Sequence, residues 1–176
     1  MKLPLLAALS LALASTAFAQ IAPESIMKIT SPDFGDGAVM EKRFTCDDQN
    51  VNPTLQITGV PPTAKSLALI LDDPDAPSGT FTHWLIWKMP PELKEIVASS
   101  VPNGAVQGRN DFGKTAYNGP CPPSGQHRYY FRLYALDVPV NLPAGANRQA
   151  LEKAIEGHVL NQAVLMCRYA RSGNSR

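Results

Sequence analysis

The sequence predicts a mostly-β fold, a sandwich or barrel of short strands. Three observations carry that prediction. Sixteen prolines and twelve glycines cut the 176-residue chain into short apolar runs, the punctuation expected of an all-β domain. Those runs have the lengths of strands rather than of helices. Only one stretch repeats its apolar residues at helical spacing, so helices are minor elements.

The elements follow in order. Met27 to Thr30 reads as a first strand, and Leu55 to Thr58 as a second, closed by Gly59. Ser66 to Asp72 is a buried strand ending at Asp73-Pro74. Phe81 to Lys88, rich in aromatics, is another, closed by Pro90-Pro91. From Val97 to Gly125 strand signals are few, while Gly, Pro and Asn abound; a loop that long in a compact domain is usually functional or disordered. His127 to Asp137 is the longest strand. Asn147 can cap a helix in which Ala150, Leu151, Ala154 and Ile155 share a face, with Gly157 as its stop. Val159 to Tyr169 supplies a last strand.

The N-terminus reads differently. Met1-Lys2 is positive, Leu3 to Leu13 is apolar apart from Pro4 and Ser10, and Ala17-Phe18-Ala19 precedes Gln20. Charge, short apolar core and A-x-A site make a secretory signal peptide over residues 1–19, cleaved between Ala19 and Gln20. The remainder, 20–176, is expected to be one domain, periplasmic or secreted. A domain of about 150 residues buries about 70% of its unfolded surface, enough for a single core. The 16 bases and 15 acids balance once Lys2 leaves with the leader, and no basic cluster suggests nucleic acid. No later apolar run reaches the roughly 20 residues of a transmembrane helix.

Cys46, Cys121 and Cys167 match no zinc-ligand spacing. An oxidising compartment would permit a disulfide, and three thiols allow three single pairings, each leaving one free. Three packed, reduced cysteines are the alternative. Cys46–Cys121 is the expected pair, because both sit in loop-like segments whose backbone can adjust, whereas Cys167 falls in a strand.

Strand alternation brings chemistry together. His127 and Tyr129 share a face with Phe131 and Leu133, and so lean toward the core. Arg128 and Arg132 are expected on the other face, in solvent. His83 is expected on the face of Leu85 and Trp87. Asp72-Asp73-Pro74-Asp75-Ala76-Pro77 places three acids in a turn stiffened by two prolines, a costly design for a mere connection. A carboxylate beside an imidazole fixes its tautomer. Asp73, His83, His127 and Tyr129 would form a compact donor set for a phosphate or carboxylate, each charge-assisted bond contributing about 1.5–3 kcal/mol.

Asp73-Pro74-Asp75-Ala76-Pro77, then His83 opening an apolar strand, then Gly119-Pro120 leading to Gly125-Gln126-His127-Arg128-Tyr129, resemble the two signature regions of the phosphatidylethanolamine-binding proteins. The intervening Phe44-Thr45-Cys46-Asp47, Gly108-Arg109-Asn110-Asp111-Phe112-Gly113 and Glu156-Gly157-His158 are similar to the bacterial Raf-kinase-inhibitor-like branch. The resemblance runs from about Lys28 to Tyr169. It implies a β-sandwich with one or two short flanking helices and a small pocket for phosphate, acetate or phosphorylated head groups. Carried over by motif, its residues are Asp73, Pro77, His83, Gly119, Pro120, His127 and Tyr129. The resemblance brings no cofactor or metal. Partners such as a kinase or protease come by analogy alone.

A non-catalytic binding protein is therefore expected, with an envelope hydrolase using the same Asp/His pocket as the alternative. Ser124 lies near His127, but Pro122-Pro123-Ser124-Gly125 lacks the glycine of a nucleophile elbow, and its hydroxyl reads as a turn residue. His83, His127 and Asp73 have ligand types suited to zinc, with nothing to complete the set. His158 reads as a cation serving the helix end.

Overall fold

The computed structural model describes residues 26–171, so the leader and the cleavage site predicted at Ala19–Gln20 lie outside the described residues. Among the described residues, eight strands form two antiparallel sheets. The smaller contains β1 (Lys28–Thr30), β2 (Leu55–Thr58) and β5 (Glu95–Ile96), in the order β1-β2-β5. The larger runs β6-β4-β3-β7-β8, from β3 (Ser66–Asp73), β4 (Phe81–Met89), β6 (Val106–Gln107), β7 (Gln126–Leu136) and β8 (Val159–Ala170). One helix, α1 (Arg148–Ile155), and a 3-10 turn at Lys42–Phe44 complete the set.

The central strand β3 is buried along its whole length, because the larger sheet is covered on both faces. Between the sheets, Leu67, Leu69, Leu71, Phe131 and Leu133 pack against Ile29, Leu55, Ile57 and Ile96. On the opposite face Ala68, Ile70, Leu85 and Trp87 pack under Leu151 and Ile155 of α1. That double burial explains why β3 reads as a continuous apolar run without alternation. Asn147 caps α1, its side-chain oxygen accepting from the Ala150 amide at 3.0 Å, and Gly157 leaves it at a positive φ of 77°.

The predicted strands have these bounds to within a residue at each end, and three things differ. Two-residue strands β5 and β6 were invisible to pattern reading, and β6 lies inside the stretch read as loop. Arg132 is not a solvent residue: its guanidinium Nε donates to Oδ2 of the buried Asp72 at 2.9 Å. His83 does not share a face with Leu85 and Trp87. The β3–β4 ladder pairs Leu71 with Trp84 but Asp72 with Thr82. His83 is thus the extra residue of a β-bulge, which resets the alternation. It turns His83 to the inter-sheet side, where its ring meets that of Tyr129 edge-on at 5.2 Å.

Candidate functional site

The site lies at one end of the larger sheet, on the inter-sheet side. β3 ends in two acids of opposite orientation. Asp72 points toward α1, where Arg132 and Arg148 approach its Oδ2 at 2.9 and 3.0 Å. Asp73 points the other way, and its Oδ2 accepts from His127 Nδ1 at 2.7 Å. Its Oδ1 accepts from the Asp75 amide at 2.9 Å, an Asx turn that Pro74 helps to fix. Asp75 leaves in a third direction and takes a two-pronged contact from Arg128, at 2.6 and 2.9 Å. The three clustered carboxylates therefore do not face each other; each has its own cationic or imidazole partner.

His83 is held differently. Its Nδ1 lies 2.9 Å from the carbonyl oxygen of Asn118 and 3.0 Å from that of Gly119. Asn110 braces the same segment from behind, its Nδ2 within hydrogen-bond reach of the carbonyls of His83 and Ala116 and of Asn118 Oδ1. The strip from Tyr117 to Cys121 is stitched to the strip from Phe44 to Asn50. Tyr117 donates its hydroxyl to the Phe44 carbonyl at 2.7 Å, Gly119 its amide to Asn50 Oδ1 at 2.7 Å, and Cys46 its amide to the Pro120 carbonyl at 3.1 Å. Cys46 and Cys121 are bonded, with Cα atoms 5.4 Å apart, and Cys167 is a buried free thiol. Gly119 has to be glycine here, since a Cβ would fall 1.9 Å from the Phe44 carbonyl oxygen.

A cleft of about 300 Å³ opens over these residues, lined by Asp73, Pro77, Phe81, His83, Phe112 and Cys121 among others. Of the residues singled out in the sequence, Asp73, Pro77 and His83 line it. His127 stands behind Asp73, Gly119 and Pro120 form the backbone strip behind His83, and Tyr129 lies between the two imidazoles, its ring 6.5 Å from that of His127. Burial holds the His83 imidazole below its usual pKa, against the opposing pull of the Asn118 carbonyl and of Asp73. Burial likewise pushes the Tyr129 phenol well up, and the Asp73 charge adds to it. The Tyr129 hydroxyl is buried and faces the Asp73 carboxylate and the Cys121 backbone. None of the cleft-lining residues is Lys or Arg. Ser124 is exposed and does not line the cleft. His158 turns its imidazole to Asp137 at 2.9 Å rather than toward the end of α1.

Sequence reasoning missed Phe81, Phe112, Cys121 and Asn110 as parts of the site. Phe112 packs edge-on against both Phe81 and His83, but it belongs to the stretch read as loop, where no period points to a partner. The hollow between β1 and β8 is larger, about 540 Å³, yet it gathers no histidine and no buried carboxylate. Among the described residues no cluster of three His, Cys, Asp or Glu side chains could hold a metal ion.

The comparisons with known proteins converge on this architecture. A family model described as phosphatidylethanolamine-binding protein matches residues 30–170. A UPF0098 protein of Methanothermobacter thermautotrophicus is 51% identical over 150 residues, spanning 82% of this chain and 99% of the relative. A UPF0098 protein of Aquifex aeolicus is 42% identical over 154 residues, spanning 84% and 90%. The crystal structure of a PEBP homolog from Chlamydia trachomatis superposes with a TM-score of 0.81 at 36% identity, covering 84% of this chain and 99% of that one. That of Escherichia coli YbcL, described as a member of the mammalian PEBP family, gives 0.78 at 27% identity, covering 83% and 99%.

Proposed function

This chain belongs to the phosphatidylethanolamine-binding protein family, and from that premise we propose that it is an exported, non-catalytic binding protein whose cleft takes a small oxyanion: phosphate, a carboxylate or a phosphorylated head group. One observation carries the reading. Asp73, hydrogen-bonded to His127, and the clamped His83 line one cleft, with Tyr129 packed between the two imidazoles. An oxyanion in this cleft would supply several acceptor oxygens at once, and its hydrogen bonds to charged donors are the strong kind. Turnover would require a nucleophile within about 3 Å of His127, and the exposed Ser124 supports no such role. A partner enzyme, a kinase or protease by family analogy, would then sense whether the cleft is filled.

Calorimetry with inorganic phosphate tests the reading. Binding to the wild-type protein that is lost in a folded His127→Ala variant supports it; no binding, or ester hydrolysis abolished by that substitution, refutes it. Mass spectrometry of exported protein tests the leader, with an N-terminus at Gln20 expected and a retained Met1 contradicting export.

A further inference from the structure

We propose that the bare edge of β8 is a docking site, separate from the cleft, for an extended segment of a partner polypeptide that carries large apolar side chains at alternate positions.

The backbone of β8 shows where that edge is. Arg168 donates its amide to the Ala38 carbonyl and accepts from the Met40 amide, and the Met166 carbonyl accepts from Gly37. Alternate residues of a strand turn their backbone groups the same way, and the register with β7 runs without a shift from Ala170 back to Asn161. Gln162 and Val164 therefore also turn theirs away from β7. Residues 37–40 already add to β8 as a short parallel strand, with Val39 bridged to Arg168. That segment leaves the edge at Asp36, whose side chain takes the Met166 amide in place of a carbonyl. Beyond it, the outward amides and carbonyls of Gln162 and Val164 have no partner among the described residues.

Strand edges are commonly blunted by charge, proline or a covering element. The stretch from Leu160 to Leu165 contains neither charge nor proline. Val159, Leu160 and Val164 are 40–42% exposed, so the outer face of the same strand is apolar as well.

The hollow beside this edge indicates what covers it. It has a volume of about 540 Å³, runs along Gln162 to Leu165, and is walled by the buried Met27, Ile29 and Phe34. Ile29 also turns its backbone outward, because Ile57, which lies opposite it, donates its amide to Lys94 on the far side of β2. A strand added at Gln162 and Val164 sends every second side chain to the inter-sheet side, into this hollow, and the others along Leu160 and Val164. Backbone bonds then supply affinity, and a pocket for alternate side chains supplies selectivity. A second copy of this chain fits less well. Its β8 would bring Ala163 and Leu165, which are already buried in its own core, and the hollow would stay unfilled.

The test uses the purified protein and octapeptides that alternate Thr with a mixture of Val, Leu, Ile and Phe. With peptide in excess, hydrogen exchange followed by NMR should slow at the Gln162 and Val164 amides by about tenfold or more, while the Ala163 amide, which faces β7, changes little. Val164→Pro removes an outward amide that the ladder to β7 does not use, a place where an edge strand tolerates proline, and should weaken peptide binding by about tenfold or more. Should that variant not fold, Val164→Lys puts a charge on the same edge and should weaken binding likewise. Absence of protection at Gln162 and Val164, or unchanged binding by the folded variant, overturns the proposal. Protection of both amides without peptide, in protein that sediments as a dimer, also overturns it and assigns the edge to a second copy.

Discussion

Substitution of His127 by Ala should destabilise the fold by about 2 kcal/mol and abolish phosphate binding. The magnitude comes from what Asp73 loses. Its side chain is 4% exposed, and His127 Nδ1 is 2.7 Å from Oδ2. Removing one partner of a deeply buried pair costs about 3–5 kcal/mol, because the other charge is stranded. Two features reduce that here. The Asp75 amide still donates to Oδ1, and the cleft beside Asp73 gives water a route to the freed oxygen. A double-mutant cycle with Asp73→Asn separates the stranded charge from simple loss of packing. Urea unfolding at pH 7 should give a double variant about 1–2 kcal/mol more stable than the sum of single losses predicts. Additivity within about 0.5 kcal/mol would refute the reasoning, since it would mean that Asp73 does not depend on His127 at all.

Replacing Cys46 and Cys121 together by Ser opens a link between positions 75 residues apart; the chain-entropy model then gives a loss of roughly 4 kcal/mol, and a urea-measured loss under about 1 kcal/mol would count against a closed bond in the native protein. Gly119→Ala should weaken phosphate binding and lower the melting temperature, because its Cβ would displace the Phe44 carbonyl and with it the carbonyls that hold His83; an unchanged melting curve contradicts this. Asp75 provides the pH test. Hydrogen bonding from Arg128 draws its carboxyl from 3.8 down to about 2. With the folded value below the unfolded one, the contribution is complete above about pH 4 and fades as pH falls toward 2. It is small, since Arg128 is exposed. An NMR titration should find the Asp75 midpoint returning upward in Arg128→Ala; an unmoved midpoint rules out the pair as its cause.

Much of the fold was legible because the long strands obey simple periods. His127, Tyr129, Phe131 and Leu133 alternate without interruption along β7, so their common face followed from counting. The capped helix followed from Asn147 and Gly157. Three features did not follow. His83 sits at a bulge, and a bulge is a property of pairing between two strands that neither strand records by itself. Arg132 looked like a surface residue because its buried partner, Asp72, lies 60 positions earlier on a neighbouring strand. Asn110 and Phe112 act through irregular backbone between β6 and β7, where position in sequence implies no position in space. The D-P-D-A-P turn was legible as unusual, but the separate destination of each carboxylate depends on tertiary neighbours.

The bulge in β4 means that the site depends on a count of residues as much as on their kinds. Were one residue removed between Phe81 and His83, the ladder could close without interruption and the core from Trp84 onward would keep its partners. His83 would then fall opposite Asp72, among Arg132 and Arg148 on the helix side of the sheet. The fold would survive with every site side chain still present in the chain, yet the cleft would have lost the imidazole that lines it. A single-codon deletion here is therefore a cleaner separation of folding from recognition than any point substitution, and a substitution scan would never sample it.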